Sequence, residues 1–209
     1  MASVKPLQIG LTGGIGSGKS AALDAFKKAG AAVVSADAVV HELSKPGKPA
    51  YRAIVRAFGE GVLVADGALD RASLGESVFK NAAMRRKLEG IVHPIVRREM
   101  KRRVKAARGP VVVVDVPLLF ENGLESEYDL TVSVSASRAL CLKRVMRRDG
   151  LSKAAVARRM SAQLPAKEKE KRADVVLRNE GSLASLRRSV GEYMRAFDLI
   201  GSSLRRSSR

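Results

Sequence analysis

The sequence has few of the residues on which several common kinds of protein depend. Its 209 residues include no tryptophan, one cysteine and two histidines, and only 4% are aromatic. The single cysteine, Cys141, has no partner for an intrachain disulfide, so we expect it to be a small buried apolar residue. Two histidines and one cysteine are also too few to assemble a zinc site from the usual nitrogen and sulfur ligands. The core should therefore be mostly aliphatic.

Long apolar runs are lacking as well. No run approaches the roughly 20 residues that a helix needs to cross a bilayer. The N-terminus does not have the charged-then-apolar pattern of a signal peptide. We therefore expect a cytoplasmic protein without a membrane partner. A chain of 209 residues is long enough for one domain with insertions and a sizeable core.

Acidic residues are in the minority. The chain has 21 of them against 39 basic residues, which gives a net charge of +18. Such a surface suits nucleic acid, small substrates that carry several phosphates, or simply an arginine-rich composition. The basic stretches are not interleaved with the aromatic residues that stack on bases. We therefore disfavour nucleic acid as a partner.

The clearest positive signal is a glycine-rich segment near the N-terminus. Residues 13–20 read GGIGSGKS, which fits the phosphate-binding loop pattern between a short apolar strand and a helix. Glycines allow backbone N–H groups to turn toward phosphate oxygens, and the helix N-terminus adds positive potential. Lys19 can reach the β- and γ-phosphates, and the Ser20 hydroxyl can ligate Mg²⁺. The segment predicts a protein that binds a nucleoside triphosphate.

Short apolar runs alternate with helical patterns along the chain. This alternation predicts a parallel β-sheet that is covered by helices on both faces. The predicted strands are Leu7–Leu11, Ala32–Ser35, Val111–Val116, Leu130–Val134 and Val175–Leu177. The predicted helices that follow most of them are Lys19–Ala29, Arg138–Arg148 and Leu183–Phe197, the last with Ser182 as its N-cap.

Two segments depart from the alternation. The first, from about His41 to Arg108, has helical periodicity without a convincing strand and is too long for an ordinary crossover, so we predict a helical insertion. The second, residues 144–172, is basic, helical and poor in large apolar side chains, as in a mobile lid. Charge alone favours a solvated pair of surface helices there. We assign residues 1–40, 109–143 and 173–209 to the core, 41–108 to the insertion and 144–172 to the lid.

Two aspartates lie at or just after the ends of predicted strands, where the carboxyl ends of parallel strands face the ligand crevice. Asp37 could accept a proton from an acceptor hydroxyl or hold a magnesium-bound water. It could equally be the N-cap of the next helix, and spacing does not decide between these roles. Asp115 ends the third strand, where an aspartate often supports magnesium through a second layer of contacts.

Three further positions are candidates for the acceptor side. Pro117 follows the third strand and turns the chain toward the crevice. Glu121 either orients the acceptor or is an ordinary loop carboxylate. His93 and Pro94 stand between two helical patterns, and taken alone His93 is best interpreted as a buried, hydrogen-bonded histidine.

The lid contributes arginines that could stabilise a transferring phosphoryl group. An arginine in that position can be worth about 10³–10⁵ in rate. Spacing does not identify which arginine acts. The candidates are Arg144, Arg147, Arg148 and Arg159.

Taken together, these segments resemble the dephospho-coenzyme A kinase family over nearly the whole chain. Few of these segments are specific alone, but their order and spacing match. The matching segments are residues 11–20, Ala36-Asp37, Leu69-Asp70-Arg71 with Leu74 and Phe79, His93-Pro94, Pro117–Glu121, Arg144, Arg148-Asp149, Arg159 with Gln163, Ala173–Val176, Asn179 and Gly181.

The resemblance implies an α/β fold: a P-loop kinase core with a five-stranded parallel sheet, a helical acceptor-binding insertion and a helical lid. It implies transfer of the ATP γ-phosphoryl group to the ribose 3′-hydroxyl of dephospho-coenzyme A, the last step of coenzyme A synthesis, with Mg²⁺ at Ser20. The catalytic residues it implies are Asp37 as base, Lys19, Arg144 and Arg148. The implied nucleotide-binding residues are Gly14, Ile15, Gly16, Ser17, Gly18, Lys19, Ser20, Ala21 and Asn179. The implied acceptor-binding residues are Thr12, Asp37, Arg71, His93, Pro117, Leu118 and Glu121.

The chain departs from the family pattern at three positions. Ser35 stands where many members carry an acidic residue, Arg178 replaces the acid before Asn179, and Ala21 occupies a position where threonine is frequent. The alternatives are another small-acceptor P-loop kinase, for a nucleoside or nucleoside monophosphate, and a basic ATP-dependent nucleic-acid-binding protein. We expect a monomer or a weak homo-oligomer.

Overall fold

A computed structural model describes residues 6–207, so residues 1–5 and 208–209 of the predicted core lie outside the described residues. The strands are β1 (Leu7–Gly13), β2 (Ala32–Ser35), β3 (Val111–Asp115), β4 (Leu130–Ser135) and β5 (Val175–Arg178). The α-helices are α1 (Lys19–Lys28), α2 (Ala36–Leu43), α3 (Pro49–Phe58), α4 (Arg71–Lys80), α5 (Ala82–Ala106), α6 (Arg138–Asp149), α7 (Lys153–Ser161), α8 (Ala166–Arg172) and α9 (Leu183–Ser207). Single-turn 3₁₀ helices span Glu60–Val62 and Glu125–Glu127.

The five strands form one sheet in the order β2-β3-β1-β4-β5. β1 lies in the middle and runs parallel to both β3 and β4, and β4 runs parallel to β5. All five residues of β3 are buried, as in parallel strands that are covered on both faces. The predicted strands and the α/β P-loop kinase fold are confirmed.

The chain forms two compact units, and the first comprises residues 1–33 and 107–209. Its main core cluster is largely aliphatic, as expected, and includes the aromatic residues Phe26 and Phe197. The Phe26 ring stacks on Phe197 at 6.4 Å between centroids, which joins α1 to α9. Cys141 is buried there, and burial raises the pKa of its thiol. The Ser182 hydroxyl accepts a hydrogen bond from the Ser185 amide at 3.2 Å, as expected of the N-cap of α9.

The second unit, residues 34–106, contains α2 to α5. Val39, Leu43, Ala50 and Val96 form its buried apolar cluster. No named strand lies wholly within the part of this unit that the structure describes, which agrees with the helical periodicity of the sequence.

α5 contradicts the prediction that His93 and Pro94 stand between two helices. It is a single helix of 25 residues with Pro94 in its interior. Proline removes one hydrogen bond from a helix and often kinks it, so the sequence favoured an end that the helix does not have. His93 is exposed on α5, and its interpretation as a buried histidine is therefore wrong.

Arginines of α5 make a small charged network with two glutamates. Arg103 donates to Glu99 at 2.8 Å and to Glu42 of α2 at 2.6 Å, and Arg102 donates to Glu99 at 2.7 Å. The hydrogen bonds from Arg102 and Arg103 lower the pKa of Glu99 to about 2. The network therefore depends on an ionised Glu99.

Candidate active site

The glycine-rich segment connects the central strand to the first helix. β1 ends at Gly13, α1 begins at Lys19, and Gly16 and Gly18 have φ values of +80° and +93°. A Cβ atom on Gly18 would lie 2.0 Å from Nδ2 of Asn179, and one on Gly16 would lie 2.5 Å from the Cys141 carbonyl oxygen. Among the described residues, no side chain caps α1 by a hydrogen bond. This is the strand–loop–helix arrangement that turns backbone N–H groups toward a bound phosphate.

Lys19 lies in the first turn of α1 and forms an ion pair with Asp115 at the end of β3. Asp115 pairs in register with Leu11 of β1, so the two strands carry this carboxylate to the same edge of the sheet as the loop. The side chains are only 15% and 6% exposed, so solvent screens the pair weakly. Asp115 therefore fixes the position of the Lys19 ammonium beside the loop.

Arg144 and Asn179 contact the backbone of the loop. The Arg144 guanidinium donates to the carbonyl oxygens of Asn179 at 3.0 Å, Ser17 at 3.4 Å and Gly16 at 3.5 Å. Asn179 donates from Nδ2 to the Ser17 carbonyl at 2.8 Å. The structure thus brings these two predicted site residues to the loop, where they hold its carbonyl groups.

Arg148 lies near the end of α6 and is largely exposed. Its guanidinium donates two hydrogen bonds to the carboxylate of Asp149, at 2.6 and 3.0 Å. Arg159 of α7 lies 3.6 Å from the same carboxylate. The hydrogen bond from Arg148 lowers the pKa of Asp149. Asp149 is therefore a shared counter-ion for two arginines of the predicted lid.

The predicted acceptor residues of the first unit lie on β1 and on the chain after β3. The buried Thr12 hydroxyl donates to the Pro117 carbonyl oxygen at 3.2 Å. Leu118 is 41% exposed although it is a large apolar residue. Glu121 accepts a hydrogen bond from the Leu164 amide at 3.0 Å. β1 and β3 are parallel neighbours, so their carboxyl ends lie at the same edge of the sheet. Thr12, the segment 117–121 and the phosphate loop therefore lie at that edge.

The remaining predicted acceptor residues lie in the second unit. Asp37 is exposed in the first turn of α2, where a carboxylate is favoured by the helix dipole. The alternative that Asp37 is the N-cap is wrong, because the cap is Ser35, whose side chain accepts from the Ala38 amide at 3.3 Å. The Arg71 guanidinium donates to the His41 carbonyl oxygen at 3.2 Å, and this hydrogen bond links the start of α4 to the end of α2.

Two residues make contacts at the site that the sequence did not predict. Gln163 accepts a hydrogen bond from the Ile15 amide of the phosphate loop at 2.9 Å. The Lys169 side chain is 1% exposed, and its ammonium lies 2.7 Å from a carboxylate oxygen of Glu121. Lys169 belongs to the segment AKEKEKR, in which nothing distinguishes a buried lysine from the exposed ones. Among the described residues, no cluster of three or more His, Cys, Asp or Glu side chains could hold a metal ion. Within the same residues, no helix is long and apolar enough to span a membrane.

The central strand, the phosphate loop and the paired lysine define a P-loop nucleotide-binding protein. A family model described as dephospho-CoA kinase matches residues 7–185. A dephospho-CoA kinase of Chromobacterium violaceum is 46% identical over 183 residues, which cover 87% of this chain and 90% of that protein. This chain belongs to the dephospho-CoA kinase family.

Solved structures agree with this assignment. The crystal structure of TT1252 from Thermus thermophilus has a TM-score of 0.79 and 37% identity, and the match covers 91% of this chain and 97% of that one. The dephospho-CoA kinase of Campylobacter jejuni has a TM-score of 0.65 and 25% identity, with 92% and 98% covered. The match therefore extends over nearly the whole of each of these chains.

Proposed function

We propose that this protein transfers the γ-phosphoryl group of ATP to the ribose 3′-hydroxyl of dephospho-coenzyme A. This reaction yields coenzyme A and ADP and completes coenzyme A synthesis. The observation that carries the proposal is a phosphate loop with its lysine in a chain that matches the family model over residues 7–185. Phosphoryl transfer needs positioning and charge stabilisation more than covalent chemistry, and these are the tasks that such a loop performs.

In this proposal the loop holds the triphosphate. Backbone amides of the loop would bind the phosphate oxygens, and Lys19 would neutralise charge at the β- and γ-phosphates. Asn179 belongs to the segment beside the adenine. The hydrogen bonds from Arg144 and Asn179 to the Gly16 and Ser17 carbonyl oxygens support a rigid loop, because each of these carbonyls has a donor.

Magnesium fits the side chains at this edge of the sheet. The Ser20 hydroxyl and the Asp115 carboxylate are hard oxygen donors, the kind that Mg²⁺ prefers. Ser20 would ligate the ion directly, and Asp115 would act through water and through its ion pair with Lys19. When bound, the ion neutralises negative charge on the β- and γ-phosphate oxygens.

The proposed acceptor-binding residues are those that the family resemblance implies. We propose that Asp37 orients the acceptor hydroxyl and takes its proton, which a carboxylate does when it lies within hydrogen-bonding reach. In the first unit, Thr12, Pro117, Leu118 and Glu121 would contact the acceptor. For Arg71 and His93, in the insertion of residues 41–108, we propose acceptor binding as well. The exposed apolar side chain of Leu118 supports a role in binding the acceptor.

We propose that residues 144–172 form a lid that excludes water from the transferring phosphoryl group. Within this lid, Arg148 is the better candidate for stabilising the transition state. Arg144 is already engaged with three backbone carbonyl groups of the loop and its neighbour Asn179, whereas Arg148 is exposed and pairs with Asp149. Arg144 would then serve catalysis by holding the loop.

The test is acceptor-dependent release of ADP from Mg²⁺ and ATP, with mass detection of coenzyme A. Lys19→Ala should lower kcat by about 10²–10³ through lost charge stabilisation. Lys28→Ala, at the exposed end of the same helix, is its control and should behave as wild type. Release of ADP that does not depend on the acceptor would contradict the proposal.

Asp37→Asn tests the general base. This substitution keeps the size of the side chain but cannot accept the proton, so kcat should fall by about 10²–10⁴ while ATP affinity stays unchanged. Asp24→Asn removes a half-exposed carboxylate of α1 and serves as the control. A kcat near that of wild type for Asp37→Asn would remove Asp37 from the mechanism.

We also propose that the protein is cytoplasmic and is a monomer or a weak homo-oligomer. Size-exclusion chromatography with light scattering over a range of protein concentrations measures the second property. A mass of two or more chains that does not change on dilution would contradict it.

A further inference from the structure

The short segment 163–169, which joins α7 to α8 and enters α8, makes contacts with two separate loops of the first unit. At its start, Gln163 accepts a hydrogen bond through Oε1 from the Ile15 amide at 2.9 Å. Ile15 lies in the phosphate loop, between β1 and α1. One end of the segment is therefore bonded to the backbone that holds the nucleotide.

The same segment is bonded to the loop after β3 through Glu121. One carboxylate oxygen of Glu121 accepts from the Leu164 amide at 3.0 Å and lies 2.7 Å from the Lys169 ammonium. Burial alone would raise the pKa of Glu121, but the Lys169 ammonium and backbone N–H groups hold it below its usual value. The lowered pKa favours the carboxylate form of Glu121 in this pair.

Separating Lys169 from Glu121 would be energetically costly. The lysine side chain is 1% exposed and that of Glu121 is 16% exposed, and a buried charge that loses its partner is strongly destabilised. The loop after β3 therefore cannot move away from α8 without isolating a buried ammonium group. A shift of segment 163–169 would therefore act on the loop after β3 through the buried pair and on the phosphate loop through the Gln163 hydrogen bond.

We propose that Gln163 and Lys169 are positioning residues that couple the phosphate loop to the loop after β3, so that bound nucleotide strengthens binding of the acceptor. The proposal rests on the proposed function, in which residues 117–121 of that loop contact dephospho-coenzyme A. Nucleotide fixes the loop around Ile15, the segment transmits this constraint to Glu121, and less freedom then remains to be lost when the acceptor binds. By linkage, the acceptor strengthens nucleotide binding by the same factor.

The experiment measures one ratio by calorimetry. The dissociation constant of dephospho-coenzyme A is determined without nucleotide and with a saturating non-hydrolysable ATP analogue plus Mg²⁺. We expect the wild type to bind the acceptor about 5–150-fold more tightly with the analogue. In Gln163→Ala and in Lys169→Met this factor should fall close to 1. Lys171→Met is the matched control, because Lys171 lies on the same helix in an exposed pair with Glu168, and it should keep the wild-type factor.

If Gln163 and Lys169 had only a structural role, their substitution would lower the melting temperature but leave the ratio of acceptor dissociation constants without and with the analogue unchanged. Gln163→Ala removes one hydrogen bond from a partly exposed side chain and decides the question even if Lys169→Met does not fold. Either folded variant that keeps the wild-type factor removes its residue from the proposal, and a wild-type factor of 1 overturns it entirely. A wild type that binds the analogue but neither binds nor phosphorylates dephospho-coenzyme A overturns the proposed function instead.

Discussion

Gly16→Ala isolates the steric requirements of the phosphate loop. Gly16 has a φ of +80°, in the left-handed region that residues with a Cβ rarely adopt. The added methyl group would lie 2.5 Å from the Cys141 carbonyl oxygen and 2.8 Å from Cγ2 of Val145. Both neighbours belong to α6, which is packed against the loop, so the methyl group has no open space to enter.

The expected magnitude follows from these two effects. A left-handed backbone costs a residue with a Cβ about 1–2 kcal/mol. Overpacking a filled interior costs about 1–3 kcal/mol more. We therefore expect Gly16→Ala to lose about 2–5 kcal/mol of unfolding free energy. If the loop relieves the strain by distorting locally, part of that loss should appear as weaker ATP binding.

Gly14→Ala is the matched control within the same loop. Its added methyl group would meet only the Gln163 side chain, at 3.9 Å, which is an ordinary contact. We expect a change in unfolding free energy within about 1 kcal/mol. Urea denaturation and calorimetric ATP titration measure both quantities for both variants. If Gly16→Ala matches Gly14→Ala in stability and in ATP affinity, the steric argument for the loop is wrong.

Three further predictions concern stability. Phe26→Ala removes a fully buried ring and should lower the unfolding free energy measured by urea denaturation by about 3–5 kcal/mol. Leu199→Ala changes a side chain that is 73% exposed and should change it by no more than about 0.5 kcal/mol. Equal losses in the two variants would contradict the assignment of Phe26 to the core. Two arginines of the same helix lower the pKa of Glu99 from 4.5 to about 2. The contribution of Glu99 to the unfolding free energy is therefore present above about pH 5 and is lost as the pH falls toward 2. Glu99→Gln should reduce the pH dependence of the unfolding free energy in that window, and a dependence as steep as that of the wild type would contradict this prediction. Asp70→Ala removes the N-cap of α4 and should cost about 0.5–2 kcal/mol, measured by hydrogen exchange of that helix, and unchanged protection would show that the cap is dispensable.

The sheet could be predicted from the sequence because its strands carry their signal locally. The runs at residues 7–11 and 111–116 are apolar throughout, and burial on both faces of a parallel sheet requires this. The observed strands differ from the predicted ones by at most two residues at an end. The phosphate loop could be predicted equally well, because its glycines are needed for positive φ values and for the close approach of neighbouring groups to the loop backbone.

The interior of the helical unit was harder to predict, because local rules conflict there. Pro94 is the strongest helix-breaking signal in α5, yet the helix continues on both sides of it. Val96, two residues later, is buried in the cluster with Val39 and Leu43. Tertiary packing of this kind outweighs the loss of one helical hydrogen bond, and a single-sequence reading cannot weigh it.

Contacts at the site were not predictable where they join distant parts of the chain. The Ile15 amide and Gln163 are separated by 148 residues in sequence. In the Lys169–Glu121 pair, the lysine is buried although it lies in a charged segment whose other lysines are exposed, and the sequence of α8 does not indicate this. The family resemblance indicated that Gln163 belongs to a shared pattern, but only the three-dimensional arrangement gives it a partner.

The order of the strands has a consequence for synthesis of the chain. β1 is made first, yet its partners in the sheet are β3 and β4, so Leu7 pairs with Val111 and Ile9 with Leu130. Helices α2 to α5 are complete by Ala106, before either partner strand has been translated. Their contacts are mostly local and can form early, whereas closing a chain segment of this length is entropically costly and slow. The apolar residues of the first strand therefore stay exposed on the ribosome while the second unit can already fold, and this interval is when the nascent chain most needs protection from aggregation.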